Sequence, residues 1–188
     1  MKNLSILAVE DDENDVIFLQ MGLKAAGVTC PLHVAVDGRK ALDYLEGNGA
    51  FSNRAEFPMP YLILLDLKLP QVMGLDVLSW IRARPELDST IVIVMTSSAH
   101  PLDVEAAYRL GTNAFLVKPS NYEGLKVLVQ SIKDFWLTHN LPEPKFVERK
   151  AQTMAVLRQV EPARPRRSAR GSHMPRLDAL GGVLGPSS

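Results

Sequence analysis

Between residues 4 and 138, short apolar runs alternate with longer stretches of helical spacing, and this alternation restricts the fold more than any other feature of the chain. The five runs cover residues 4–9, 31–36, 61–67, 91–95 and 113–117. The third and fourth contain almost only apolar residues, which is typical of central strands covered on both faces. Strands that alternate with helices form a parallel sheet with helices on both sides. We therefore predict an α/β fold, a doubly wound five-stranded parallel sheet flanked by five helices.

The stretches between the runs carry apolar residues on one helical face, and punctuating residues mark their ends. The last stretch has this spacing at Leu125, Leu128, Val129 and Ile132. Pro101 is suited to begin the fourth helix, and Gly27 and Gly111 follow the first and fourth helices. Ser120 and Glu123 have the spacing of a capping box, which predicts that the fifth helix begins there.

Glycine, proline and asparagine interrupt the pattern in two places. Residues 47–60 predict a long loop before the third strand. Pro142 and Pro144 end the fifth helix, because proline removes a backbone donor and restricts the residue before it. We therefore expect a domain over residues 1–140 and a C-terminal extension over residues 141–188.

The extension has a different composition from the domain. Residues 1–140 carry 12 Lys and Arg against 17 Asp and Glu, whereas residues 141–188 carry 9 against 4, which argues against a broad nucleic-acid surface on the domain. The proline and glycine content of the extension predicts that most of the extension is disordered. Residues 171–174 read GSHM, a common cloning scar, so the chain from about residue 171 is expected to be partly vector-derived.

Several classes of protein are excluded or disfavoured by composition. The single cysteine, Cys30, rules out an internal disulfide and a site built from several thiolates. The longest apolar runs are far shorter than the roughly 20 residues of a membrane span. The N-terminal segment has no long apolar region typical of a signal peptide. We expect a cytoplasmic protein that does not enter a membrane.

Polar side chains follow four of the apolar runs at the point where each run ends. They are Glu10 and Asp11, Asp66, Thr96, and Lys118. In an open α/β sheet, the carboxyl ends of the strands line the crevice in which ligands bind. Carboxylates gathered there would repel one another unless a cation lay among them, and hard oxygen ligands with water are what Mg²⁺ requires. The sequence therefore predicts a Mg²⁺ site at this crevice.

A carboxylate beside a metal and an ammonium can act as a nucleophile towards a phosphoryl group, which gives an aspartyl phosphate. In this hypothesis Asp66 is the nucleophile, Lys118 neutralises the phosphoryl oxygens, and the hydroxyl of Thr96 donates to one of them. Simpler interpretations exist, since Asp12 and Thr96 could each cap a helix and Lys118 could be a solvated lysine. The coincidence of acid, hydroxyl and ammonium at four strand ends favours the functional interpretation.

Four motifs at these strand ends resemble a known family. They are ILAVEDD over residues 6–12, LILLDLKLPQVMGLDVL over 62–78, VMTSS over 94–98 and AFLVKP over 114–119. Together they resemble the receiver domains of two-component response regulators, over about residues 3–138. The resemblance implies the flavodoxin-like strand order 2-1-3-4-5, which the chemotaxis receiver also has.

The resemblance also implies the ligands of the metal. Asp11 and Asp66 would ligate Mg²⁺ with their side chains, Glu10 would act through water, and Lys68 would contribute its backbone carbonyl. The chain would then be a phospho-accepting signalling switch, which catalyses its own phosphorylation and slow dephosphorylation, and not an enzyme acting on other molecules.

Two further positions follow from the same resemblance. Thr96 and Phe115 fall where the family has its switch residues, although Phe115 could equally be an ordinary core aromatic. Met73 stands where the family frequently has an acid. This departure should change loop contacts without removing a catalytic group.

Finer features resemble the subgroup paired with bacterial and cyanobacterial phytochrome histidine kinases. These are the loop over residues 47–60 and the ending DFWLTHNLP over residues 134–142. The implied partner is a histidine kinase, a bacteriophytochrome, docked on helix one and the loop after strand five. We also expect a homodimer through helix four, strand five and helix five, with the residues after Trp136, chiefly 141–150, as an arm on the partner. Folding of these residues onto their own domain is the alternative.

Other functions use the same topology. A flavodoxin-like flavin-binding protein would need a loop after strand one that accepts a phosphate, but the acidic residues 10–13 would repel one unless a metal intervened. A colourless purified protein would exclude it. A DNA-binding regulator would need an output domain, and the extension offers no helix-turn-helix pattern.

Overall fold

Five parallel strands form one sheet in the order β2-β1-β3-β4-β5, as predicted. The structure is a computed structural model that describes residues 4–141. The strands are β1 Ile6–Val9, β2 Leu32–Ala35, β3 Leu62–Leu65, β4 Ile91–Thr96 and β5 Ala114–Val117. The extension after Leu141 lies outside the described residues, and so do the predictions that most of it is disordered and that its end is partly vector-derived.

Helices connect successive strands. They are α1 Glu13–Ala25, α2 Gly38–Glu46, α3 Gly74–Arg82, α4 Pro101–Arg109 and α5 Tyr122–Ile132. The fifth continues as a π-helix over Lys133–His139. Short 3₁₀ turns occupy Gly49–Phe51 and Pro85–Leu87. Within the described residues, no helix combines the length and the apolar character needed to cross a membrane.

Two apolar layers cover the sheet, one on each face. On one face α2, α3 and α4 pack on alternate residues of the central strands, such as Ile63 and Val92. On the other face α1 and α5 pack on the intervening residues, such as Leu62 and Ile93. All residues of β3 and β4 are buried, because both faces of these strands are covered.

The register of the sheet places the polar strand ends side by side. Val9 of β1 is paired with Leu65 of β3, so the residues that follow them, Glu10 and Asp66, leave the sheet at the same level. On the other side of β4, Lys118 follows β5, and its backbone amide donates to the carbonyl of Thr96 at 2.8 Å. The carboxyl ends of β1, β3, β4 and β5 therefore meet at one edge of the sheet.

Most of the predicted helix ends are confirmed, and one is wrong. Pro101 is the first residue of α4, and Gly27 and Gly111 follow α1 and α4 with positive φ of 71° and 91°. The cap of α5 is Asn121 and not Ser120. Asn121 has an extended backbone, and its side-chain oxygen accepts from the amide of Gly124 at 2.8 Å. The amide oxygen of asparagine thus fulfils, one residue later, the role that the capping-box pattern assigned to serine.

The loop over residues 47–60 is pinned to the end of α2 by Arg54. Its guanidinium donates to the carbonyls of Tyr44 and Leu45, both at 2.6 Å, and the Tyr44 oxygen also accepts from the amide of Gly47. The hydroxyl of Tyr44 donates to the carbonyl of Pro58 at 2.8 Å. The ring of Phe57 packs edge-on against that of Tyr44. These contacts give a long loop a defined path.

The chain that follows α5 is fixed to the start of β3. The hydroxyl of Tyr61 donates to the carbonyl of Trp136 at 3.3 Å, and Asn140 donates to that hydroxyl at 3.0 Å. Trp136 and Leu137 also pack on the core of the α1 and α5 face. The segment from Trp136 to Asn140 therefore lies against its own domain.

The first prediction concerns Gly74, which begins α3 directly beside the end of β3. A Cβ atom there would lie 2.1 Å from the carbonyl oxygen of Asp66 and 2.6 Å from Cα of Leu67, and this backbone cannot move freely. We expect Gly74→Ala to lower the free energy of unfolding by about 2–3 kcal/mol, measured by urea denaturation. Gly22→Ala is the control, because its nearest neighbour is a side-chain atom of Val129 at 3.3 Å. Equal stability of the two variants would contradict this packing.

Candidate functional site

Lys118 brings three carboxylates together at the carboxyl ends of the strands. Its Nζ atom donates to Glu10 Oε2 at 2.5 Å, Asp66 Oδ2 at 2.6 Å and Asp15 Oδ2 at 2.8 Å. The Lys118 side chain is 10% exposed, and those of Glu10 and Asp66 are 5% and 8% exposed. The alternative of a solvated loop lysine is therefore wrong, because this ammonium is buried among acids.

Burial and hydrogen bonding act in opposite directions on this ammonium. Burial alone would lower the pKa of Lys118, but its hydrogen bonds to Asp15, Asp66 and Glu10 outweigh that effect and raise the pKa above its usual range. Burial raises the pKa of Glu10, against the opposing effect of Lys118. Lys118 stays charged at neutral pH, yet one positive charge cannot neutralise three carboxylates. The cluster therefore attracts a further cation.

The Asp66 carboxylate has its two oxygens in different environments. Oδ2 accepts from Lys118, and Oδ1 accepts from the backbone amide of Lys68 at 3.1 Å. The loop after Asp66 is anchored by the buried side chains of Leu67 and Leu69, while the side chain of Lys68 is exposed. The backbone of Lys68, and not its ammonium, therefore faces the site.

The predicted metal ligands supply a suitable set of donors. Glu10 and Asp11 follow β1 directly, and Asp66 leaves β3 next to Glu10. Over residues 4–141, no three side chains of the His, Cys, Asp and Glu types are arranged to hold a metal ion. Mg²⁺ keeps several waters and is usually held by one or two carboxylates, so fewer side-chain ligands are sufficient. The hard oxygen donors present fit such an ion.

Thr96 and Phe115 lie on the side of the site formed by β4 and β5. Thr96 is fully buried at the end of β4, and its hydroxyl accepts from the amide of Ser98 at 3.4 Å. Phe115 is partly buried and packs on the core of the α2 and α3 face. The helix-cap alternative for Thr96 is wrong, because His100 caps α4. A switching role for Thr96 and Phe115 stays a prediction.

The sequence predicted the role of one of the two acids at the start of α1, Asp12, but not that of the other, Asp15. Asp12 caps α1, accepting from the amides of Asn14 and Asp15, so its interpretation as a helix cap is confirmed. Asp15 was not predicted as a site residue, although it contacts Lys118 directly. The available signal was helical spacing, since Asp15 lies four residues before the buried Leu19 and seven before the buried Gly22.

Comparisons with known proteins agree with this geometry. The family described as the response regulator receiver domain matches residues 6–130. Response regulator Rcp1 of Synechocystis sp. is 40% identical over 138 residues, which cover 73% of this chain and 92% of Rcp1. A crystal structure of the Mn²⁺-bound form of Rcp1 aligns with a TM-score of 0.69 at 37% identity, over 74% of this chain and 99% of that one.

Two other solved structures are similar over the same region. The phosphorylated cyanobacterial phytochrome response regulator RcpA aligns with a TM-score of 0.70 at 32% identity, over 74% of this chain and 97% of its own. The bacteriophytochrome response regulator AtBRR aligns with a TM-score of 0.60 at 36% identity, over 76% and 100%. A flavodoxin-like function is not favoured by these findings. The chain belongs to the response regulator receiver domain family and is homologous to phytochrome response regulators.

Proposed function

We propose that Asp66 accepts a phosphoryl group from a histidine kinase in a reaction that depends on Mg²⁺, and that this modification switches the domain. The observation that carries the proposal is the position of the Asp66 carboxylate between the Lys118 ammonium and the backbone amide of Lys68. A carboxylate held in this way is oriented for attack, and positive groups that can meet the phosphoryl oxygens already lie beside it.

The chemistry is a transfer between two protein groups. An oxygen of Asp66 attacks the phosphorus atom of a phosphohistidine, the P–N bond breaks, and the kinase imidazole leaves. Lys118 would donate to one phosphoryl oxygen, and the hydroxyl of Thr96 to another. Bound Mg²⁺ would neutralise charge on the phosphoryl oxygens, held by Asp11, Asp66, the carbonyl of Lys68 and, through water, Glu10. Small phosphodonors would serve in place of the kinase, and water would remove the group slowly.

The proposed docking surface for the kinase is the exposed face of α1 with the loop that follows β5. Ile17, Phe18 and Met21 of α1 are exposed by 50%, 40% and 47%. The ring of Phe18 lies 5.9 Å from that of Tyr122, which begins α5 just after this loop. An apolar patch beside a reactive carboxylate suits a partner that must bring its own reactive group to Asp66. The phytochrome relatives favour a phytochrome-type kinase, a bacteriophytochrome, as that partner.

The proposed signal output is a homodimer through α4, β5 and α5. Large apolar side chains exposed on these elements and the chain beyond them are Leu102, Tyr108, Val117, Val127, Phe135 and Leu141. Exposed apolar residues of this kind are typical of interfaces. The predicted arm consists of residues 141–150, of which only Leu141 is among the described residues, so its apolar Phe146 and Val147 lie outside them. Trp136 and Leu137 pack on their own domain, so the arm would begin after them.

The second prediction tests the phosphoacceptor and the donor together. Intact mass should show a gain of one phosphoryl group in the parent after incubation with acetyl phosphate, or with a phosphorylated phytochrome histidine kinase, in the presence of Mg²⁺. Asp66→Asn should show none, and EDTA should prevent the gain in the parent. Labelling of the Asn variant would move the acceptor to another residue. A preference for kinases without a chromophore domain would contradict the assignment of the partner.

The third prediction tests the dimer and its arm. Light scattering on the full chain and on a version ending at Asn140, each with and without BeF₃⁻ and Mg²⁺, should show a dimer that BeF₃⁻ strengthens in the full chain and weaker dimerisation of the shortened chain. Monomers in all four samples would contradict the dimer. Equal dimerisation of both versions would keep the dimer and remove the arm.

A further inference from the structure

We infer that Asp15 is a positioning residue that competes with the phosphoryl group for the Lys118 ammonium and so limits how readily Asp66 holds that group. This inference rests on the proposed role of Asp66 as the phosphoacceptor. It concerns a contact between the first helix and the residue that follows the last strand, which are far apart in the sequence.

The position of Asp15 is fixed by the helix that carries it. Asp12 caps α1 and accepts from the backbone amide of Asp15 itself at 3.2 Å. Farther along the same face, Leu19 and Gly22 are buried, and Gly22 lies against the side chain of Val129 of α5. The backbone at Asp15 is therefore held from both sides, and its carboxylate reaches Lys118 Nζ at 2.8 Å.

The number of donors on the ammonium gives the competition its physical basis. A lysine ammonium has three N–H groups, and Glu10, Asp15 and Asp66 each accept a hydrogen bond from it. A phosphoryl group on Asp66 takes over the Asp66 contact with the ammonium, and it presents several oxygens and more negative charge than the carboxylate did. Any donor that the ammonium gives to a second phosphoryl oxygen must therefore come from Glu10 or Asp15, so one of these two contacts must weaken.

Burial indicates which contact yields. The side chain of Asp15 is 41% exposed, whereas those of Glu10 and Asp66 are 5% and 8% exposed. Water can replace the ammonium at Asp15, but it cannot easily do so at the buried carboxylate of Glu10, where an unpaired charge is costly. Asp15 also places a negative charge beside the incoming phosphoryl oxygens, since a single ammonium bridges it to Asp66. Both effects make the modified state harder to reach.

The test compares Asp15→Asn with Asp76→Asn. Asp76 is a matched control because it is also an aspartate in the third position of its helix, is exposed, and lies on α3. Both variants lose one negative charge and one favourable interaction with a helix N-terminus. Binding of BeF₃⁻ is measured by NMR at saturating Mg²⁺, with Asp66→Asn to confirm that the ligand occupies Asp66.

We expect Asp15→Asn to bind BeF₃⁻ roughly three- to tenfold more tightly than the parent, as the loss of one nearby partly screened charge predicts. Asp76→Asn should keep the parent affinity. Asp15→Glu keeps the charge and the acceptor, so its affinity for BeF₃⁻ should lie close to that of the parent. Equal or weaker binding by Asp15→Asn would overturn the inference, as would an equal gain in Asp76→Asn. Absence of binding by the parent would instead refute the role of Asp66, so the two failures are distinguishable.

Discussion

The hydrogen bonds between the Lys118 ammonium and three carboxylates hold the end of β5 against the ends of β1 and β3 and the start of α1. A buried ammonium without partners would be strongly destabilising, and so would buried carboxylates without a countercharge. Each therefore requires the other in the folded protein. Because the acids outnumber the ammonium, the same cluster keeps an excess of negative charge at the edge of the sheet, where a divalent cation and a phosphoryl group can be held together.

The rest of the fold serves to bring these groups to one place. Two apolar layers fix the parallel sheet, and its register sets Glu10 and Asp66 side by side at the ends of β1 and β3. The close approach of Gly74 to the backbone of Asp66 and Leu67 fixes the loop that leaves the site. The strands thus hold the acids in fixed positions. The cation and water would come from solvent, and the phosphoryl group would come from a partner.

The sequence predicted the features that depend on local pattern. Apolar runs predicted the strands, and the carboxyl ends of parallel strands must meet, so Asp66 and Lys118 were expected to lie close together although 52 residues separate them. The sequence did not predict Asp15 as a partner of Lys118, because that contact joins residues 103 apart and depends on how α1 packs against α5. The role of Arg54 was missed for a similar reason, since an arginine in a loop gives no sign that it will cap a helix end. Ser120 matched the sequence pattern of a helix cap, but the neighbouring Asn121 is the residue whose side chain caps α5.

The Lys118 ammonium compensates a cluster of acids that would otherwise destabilise the fold, and this compensation can be measured. It is tested most directly by urea denaturation in EDTA between pH 5 and 8, comparing the parent, Lys118→Met and the exposed-lysine control Lys126→Met. At pH 8 Lys118→Met should lose about 3 kcal/mol of unfolding free energy, because buried carboxylates are left unpaired, and Lys126→Met should lose little. In Lys118→Met the pKa of Glu10, which burial already raises, should rise further. The folded state then binds protons that the unfolded state releases, so the loss should shrink as the pH falls towards 5. Equal stability of the two variants at pH 8, or a loss that does not change with pH, would contradict the account.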